Sequence, residues 1–307
     1  MRDQSPADAA SDNWVNRFLP TPLIPYARLA RLDRPIGSWL LFWPCLWGVW
    51  LAQLETGRIP LSQTLYMAVL FALGAIVMRG AGCTYNDIVD RDYDGKVERS
   101  RNRPLPAGQI TVKQAWAFLI AQCLIGLSVL LQFNMPTIAL GVLSLAPIAI
   151  YPFMKRFTWW PQLFLGIAFN WGVWMGYTAL AGEISIAAAL VYVAAIFWTV
   201  GYDTIYAHQD REDDALIGLK SSAIKLGDKT HMALWVIYGL CVTSFLVAGW
   251  IAGAHLWFYL IIGLVALHLA GQILKTDIHN ADQCLTVFKS NRNLGFVIMM
   301  AFAAALW

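Results

Sequence analysis

From about residue 36 to the end, the chain is a succession of apolar runs close to twenty residues long, separated by short charged loops. A helix rises about 1.5 Å per residue, so each run suffices to cross the roughly 30 Å hydrocarbon core of a bilayer. Only 13% of the residues are charged, against about 25% in soluble domains. These features predict an all-α, polytopic membrane protein. The spans read as about 36–54, 65–85, 112–132, 136–154, 160–181, 185–207, 231–253, 256–274 and 293–307. That is about nine transmembrane helices; eight and a terminal interfacial helix is the alternative count.

The loops sort by charge. Arg91, Lys96, Arg99, Arg101, Arg103 and Lys113 follow the second span, and Lys155 and Arg156 follow the fourth. Arg211, Lys220, Lys225 and Lys229 follow the sixth; Lys275, Lys289 and Arg292 follow the eighth. The intervening loops carry almost no cations, Arg58 being the exception. Positive loops face the cytoplasm, which puts the N-terminus and every second loop there.

Residues 1–25 read as a flexible polar tail, and 26–307 as a single transmembrane domain. The tail lacks the pattern of a cleaved signal peptide and of an Arg- and Ser-rich presequence, which points to a bacterial inner membrane. Arg28, Arg31 and Arg34, at helical spacing, predict an amphipathic helix at the membrane surface. Trp39, Trp43, Trp47 and Trp50 recur at helical spacing, as packing or interface residues do. The five cysteines form no paired spacing, so neither a disulfide frame nor a zinc site is expected. No basic stripe with interleaved aromatics suggests nucleic acid.

Against this apolar background, Asp87, Asp90, Asp92 and Asp94 place four carboxylates within eight residues, directly after the second span. Acidic groups at a membrane edge are costly unless they bind something positive. Asn86, Asp90 and Asp94 step by four and share a helix face, with Arg79 seven residues before Asn86. After the sixth span come Asp203, Asp210, Asp213 and Asp214. On a continuous helix Asp203, Asp210 and Asp214 fall within about 40° of one another, while Asp213 points away. Such oxygens suit Mg²⁺, which accepts one or two carboxylates plus substrate phosphate oxygens. An EF-hand is excluded because its twelfth position, counted from Asp90, is Arg101 and not Glu. One cluster alone could be solvated surface. Two at equivalent positions four helices apart suggest an internal duplication and a shared metal–phosphate site.

These residues carry a family resemblance. Asn86, Asp87, Asp90 and Asp94 match the NDxxDxxxD motif of the UbiA-type intramembrane prenyltransferases. Asp210 and Asp214, after the Tyr202-Asp203 pair, match its second motif, DxxxD; Tyr151 and Lys155 match its YxxxK pattern. The stretches Leu32–Gly37, Asn102–Pro106, Tyr151–Arg156 and Gly218–Ser222 are similar to the branch acting on 4-hydroxybenzoate in ubiquinone synthesis. The resemblance implies helices ringed around a central cavity open to lipid, and Mg²⁺-dependent transfer of a polyprenyl group from its diphosphate to an aromatic acid. It implies metal at Asn86, Asp90, Asp94, Asp203, Asp210 and Asp214. Lys155 and some of Arg99, Arg103 and Lys220 would take phosphate charge. Arg156 or Arg34, with Arg79 behind them, would hold the acceptor carboxylate. Asp87, Asp203 or the released diphosphate would take the proton. The rivals are a sister transferase with another acceptor, and a divalent-cation or organic-anion transporter. Transporters place such groups near the bilayer midplane, whereas these sit at helix ends.

Overall fold

The computed structural model describes residues 13–95, 100 and 102–307, with Asp213 described for its backbone only. Among them every regular element is helical. Seven stretches are long and apolar enough to cross a membrane: Leu61–Asp94, Val112–Leu130, Met135–Phe157, Pro161–Ala181, Ile186–Asp210, Ser222–Ile251 and Leu256–Lys275. The chain divides into two compact units, Met1–Ser38 with Ala72–Gln132, and Trp39–Phe71 with Phe133–Trp307.

The first unit contains α1 (Trp14–Phe18), α2 (Ile24–Leu29), the opening of α3 (Ile36–Thr56), most of α4 (Leu61–Asp94) and α5 (Val112–Leu130). Asn13 caps α1 by accepting the Asn16 N–H at 3.1 Å. Thr111 and Gln114 form a reciprocal capping box that starts α5, satisfying two of the amides a helix start leaves unpaired. Leu29, Ile88, Leu105, Ile110 and Ala115 make the core. Gly80 brings the α4 backbone close to Ala30 and Gln122, and one turn on Thr84 donates to Gln122 at 3.2 Å.

Two expectations change here. Residues 13–25, read as a loose tail, hold α1 and the start of α2, with Val15 fully buried. The Arg28–Arg34 stretch is no surface amphipathic helix: α2 stops at Leu29, and Arg28 and Arg31 are buried. The three-residue arginine spacing was accidental, because each guanidinium has its own polar partner; Arg28 donates to Asn16 at 3.0 Å.

The second unit holds the rest of α3, the start of α4, and α6 (Met135–Leu143), α7 (Leu145–Phe157), α8 (Pro161–Phe169), α9 (Gly172–Ala181) and α10 (Ile186–Ala207). The short α11 (Arg211–Leu216) and α12 (Ser222–Leu226) precede α13 (Thr230–Ile251), α14 (Leu256–Lys275) and α15 (Ala281–Ala304). At its centre is α10, packed against α8, α9, α13 and α15. Its Val191, Ala194, Ala195, Trp198 and Ile205 are fully buried. Two expected spans are each broken in the middle. Ser144 donates to the Gly141 carbonyl at 2.6 Å, between α6 and α7. Asn170 donates to the Gly166 carbonyl at 2.8 Å, after α8. Such back-bonding side chains compete with the main-chain ladder and bend helices. The last helix starts at Ala281, well before the expected 293, because its polar first turns are capped by Asn280.

Two features lock this unit. Gly48 on α3 and Gly172 and Gly176 on α9 let the two backbones touch. A Cβ at Gly176 would overlap the Cys45 carbonyl oxygen and lie 2.8 Å from its carbon. Small residues four apart are the usual means of close helix approach in lipid. Trp47 on α3 is fully buried and donates to the Gly295 carbonyl of α15 at 3.0 Å. The out-of-place cation, Arg58, also has a use: it donates to the Leu306 carbonyl and stacks 3.8 Å above the Trp307 ring, closing the end of α15.

Candidate active site

The first acidic motif ends α4. This helix has 34 residues, about 51 Å at 1.5 Å each, roughly 20 Å more than a hydrocarbon core. The excess carries the acids. Asn86 donates from Nδ2 to Asp90 Oδ2 at 3.2 Å, so the i, i+4 spacing does bring these two together. Asp92 is four-fifths exposed and meets only its neighbour Arg91 among the contacts described, as a solvated carboxylate would.

Asp87 and Asp94, seven residues apart on the same helix, are also linked. Arg103 NH1 joins them, 2.7 Å from Asp94 Oδ2 and 3.4 Å from Asp87 Oδ1. Asp87 Oδ1 also receives Arg31 NH2 at 2.8 Å. Asp87 is fully buried, and its second oxygen, Oδ2, has no hydrogen-bond partner among the described residues. Arg31 reaches it from a left-handed backbone, φ 56°, the one positive φ at a non-glycine among the described residues. That conformation costs of order 1–3 kcal/mol and persists where the surroundings impose it. Here the imposing contacts are the Asp87 ion pair and the Arg31 side chain's own 3.0 Å bond to the Arg28 carbonyl.

Arg79 lies about two turns inside the same helix, seven residues before Asn86. Its guanidinium packs against Gly37, whose missing side chain makes the space, and it donates to Cys83 Sγ. Arg34 is turned to its neighbour Asp33, with Nε at 3.3 Å and NH2 at 3.2 Å from Oδ2. Arg99 lies outside the described residues.

In the second unit, α10 ends at Ala207 and a 3₁₀ turn, His208–Asp210, precedes α11. A 3₁₀ turn advances about 120° per residue instead of 100°. Three residues therefore rotate the later acids by roughly 60° relative to Asp203. That widens the arc holding Asp203, Asp210 and Asp214 from about 40° to about 80°. Asp203, Asp210 and Asp214 are each partly buried. Tyr202 is a core residue: its ring packs on Trp198 and Phe288, and its hydroxyl accepts from Thr199 at 3.2 Å.

Tyr151 and Lys155 stand one turn apart at the end of α7, with Arg156 beside them over the Phe153 ring at 5.3 Å. A strap from Gly218 to Ser222 fastens the loop after the acids to three helices. The Lys220 N–H donates to the Lys155 carbonyl at 2.8 Å. The Ser222 N–H donates to Gln162 Oε1 at 3.1 Å, and Ser222 shares a 2.7 Å hydroxyl bond with Thr204. The Lys220 ammonium caps the Phe157 carbonyl at 3.3 Å and sits 5.6 Å from the Trp159 ring. Cations at helix C-termini are stabilising, so this lysine is engaged structurally.

Among the described residues no three His, Cys, Asp or Glu side chains are grouped as a ready metal cage. The donors nonetheless fit Mg²⁺, which keeps waters and substrate phosphate oxygens in its shell and asks one or two carboxylates of the protein. Asn86 and Asp90 offer hard oxygens one turn apart.

The model of the UbiA prenyltransferase family matches residues 41–304. The chain belongs to the UbiA prenyltransferase family. Curated relatives are named 4-hydroxybenzoate polyprenyltransferase, mitochondrial. The Aedes aegypti protein is 50% identical over 279 residues, 90% of this chain and 62% of the relative. The Homo sapiens protein is 46% identical over 290 residues, 94% of this chain and 77% of that one. This chain thus spans a little under two thirds of the insect relative's length. Among solved structures, an apo UbiA homologue from Aeropyrum pernix K1 superposes with TM-score 0.68 at 27% identity, over 87% of this chain and 96% of that one. A UbiA homologue from Archaeoglobus fulgidus bound to GPP and Mg²⁺ has the same fold, TM-score 0.68 at 21% identity, over 92% of this chain and 99% of that one.

For this UbiA-family chain the sequence reading missed Arg31 and Gln162. Arg31 had been absorbed into an apparent amphipathic repeat. Gln162, a buried amide in a span, was the kind of signal that could have flagged a tether, since buried amides in lipid need partners.

Proposed function

We propose that the chain transfers a polyprenyl group from polyprenyl diphosphate to the ring carbon ortho to the hydroxyl of 4-hydroxybenzoate. The observation that carries this reading is the architecture of α4. One helix presents Arg79 in its apolar part and Asn86, Asp90 and Asp94 on its overhang. That suits a lipid-borne chain with an anionic head and a small carboxylate acceptor. The names of the relatives support the choice of substrates.

Asn86, Asp90, Asp94, Asp203, Asp210 and Asp214 are the set assigned to divalent metal. When bound, Mg²⁺ supplies positive charge that neutralises the departing diphosphate; the Archaeoglobus homologue bound to GPP and Mg²⁺ supports a need for the metal. Lys155 adds a cation for the remaining phosphate charge, and Tyr151 lies one turn before it. The allylic C–O bond breaks, its electron pair leaving with the diphosphate. The ring carbon donates a pair to form the new C–C bond, and the ring proton departs to restore aromaticity. Arg156, Arg34 and Arg79 are the candidate partners of the acceptor carboxylate; Asp33 engages Arg34, and Arg79 donates to Cys83. Asp203 or the released diphosphate takes the proton.

The test gives membranes a polyprenyl diphosphate, radiolabelled 4-hydroxybenzoate and Mg²⁺. A lipid-soluble labelled product that vanishes with EDTA is expected. Product only with another aromatic acceptor would reassign the substrate, and cation flux without transfer would mean a transporter. The bacterial inner membrane expected from the sequence gains no support from relatives named mitochondrial. Fractionation of the source cells decides the compartment of this multi-pass membrane protein.

A further inference from the structure

Four charged side chains of the first unit alternate in sign: Arg31, Asp87, Arg103 and Asp94. Only one end of this chain, Asp94, belongs to the residues assigned to metal. The middle two have an unequal arrangement. A single nitrogen of Arg103 serves both acids, close to Asp94 at 2.7 Å and loosely to Asp87 at 3.4 Å. Meanwhile Asp87 keeps a buried oxygen, Oδ2, with no partner among the described residues. A buried carboxylate oxygen without a donor is costly, and a guanidinium can contact both oxygens of one carboxylate.

We propose that Asp87 is a receiving site for Arg103. With no cation at the motif, Arg103 neutralises Asp94. A divalent ion on Asp94 competes with Arg103 for the same negative charge and weakens its hold, and Arg103 shifts its contact to Asp87, using the unfilled Oδ2. Arg31, held in its left-handed conformation, keeps Asp87 fixed in both states. Asp87 is then a positioning residue: it acts on the metal through Arg103, not on the substrate proton. The proposal rests on the reading of Asp94 as a metal-holding residue.

The experiment measures binding of Mn²⁺ alone, with no diphosphate and no turnover, to the purified protein in detergent, by titration calorimetry and by loss of the free-ion electron paramagnetic resonance signal. Asp87→Asn leaves Arg103 on Asp94, so Mn²⁺ affinity is expected to fall about 10-fold or more, the scale on which partners of metal ligands act. Arg103→Met removes the competitor and should bind Mn²⁺ more tightly than the wild type, although it lacks two ion pairs. Asp87→Asn/Arg103→Met should recover at least the wild-type affinity. A purely structural ion pair predicts the opposite for the last two, with each loss adding to the first. Asp87→Asn binding like the wild type, or Arg103→Met binding more weakly, overturns the inference. Should Asp87→Asn fail to fold, the direction of the Arg103→Met change decides alone. Wild-type protein that is folded yet binds no Mn²⁺ would instead overturn the metal assignment on which the inference stands.

Discussion

The contact between α3 and α9 gives a prediction whose size can be worked from geometry. A methyl group placed on Gly176 would overlap the Cys45 carbonyl oxygen and stand 2.8 Å from its carbon, where ordinary contact begins at 3.4 Å. Relief of the carbon contact alone needs the helices to part by about 0.6 Å, and the closer carbonyl oxygen requires more. The obstacle is main chain, which has no rotamer to change. Overpacking of this kind costs about 1–3 kcal/mol. Gly239, within α13, is the control: a methyl group there has nothing within 4 Å. Gly239→Ala should stabilise by about 0.5–1 kcal/mol through helix propensity. The two alanine variants should therefore differ by about 1.5–4 kcal/mol. Thermal denaturation in detergent, followed by circular dichroism, reads the difference as a lowered midpoint for Gly176→Ala. Gly48→Ala, whose methyl would lie 2.6 Å from the Tyr177 nitrogen, strains the same crossing. The double variant should lose less than the sum of the singles, because one separation relieves both. Equal midpoints for Gly176→Ala and Gly239→Ala would refute the packing argument.

At the site, Asp90→Asn and Asp214→Asn should each lower turnover about 10²–10⁴-fold, the worth of several kcal/mol of leaving-group stabilisation, read by labelled hydroxybenzoate incorporation. Arg79→Ala should raise KM for hydroxybenzoate at least about tenfold, as loss of a charge-assisted bond of about 1.5–3 kcal/mol does, while KM for the diphosphate stays near its starting value; the reverse split would move Arg79 to the phosphate. Lys220→Met should lower the melting temperature, losing about 0.5–1.5 kcal/mol of helix capping and ring contact, with KM for the diphosphate within about twofold; a large KM rise would make Lys220 a phosphate ligand.

The length and apolarity of the runs carried the fold, because bilayer thickness fixes how many residues a span needs. The acidic motif on α4 was legible for the same reason: an unbroken helix keeps its angular arithmetic, and Asn86 and Asp90 do meet. Asp210 and Asp214 were legible as a motif, but the wider arc they make with Asp203 was not. The 3₁₀ turn at His208–Asp210 depends on how the chain leaves the bundle, and no residue in it announces the change. Arg31 illustrates a different limit. A surface cation and a cation buried against Asp87, 56 residues away, have the same local sequence signature. Only tertiary contact separates them. The breaks at Ser144 and Asn170 were likewise hidden, since both residues are also tolerated inside unbroken spans.

The unbroken course of α4 has a consequence for how such a chain can change over generations. From Leu61 to Asp94 nothing interrupts the helix, so its membrane part and its acidic end behave as one shaft. Substituting an exposed residue such as Leu73 or Ile76 leaves the end where it was. Inserting or deleting a single residue between them and Asn86 turns Asn86, Asp90 and Asp94 by about 100° and shifts them by about 1.5 Å together. The second motif, beyond its tighter turn, has a joint that can absorb such a change. This half of the molecule can drift in letters but not in length.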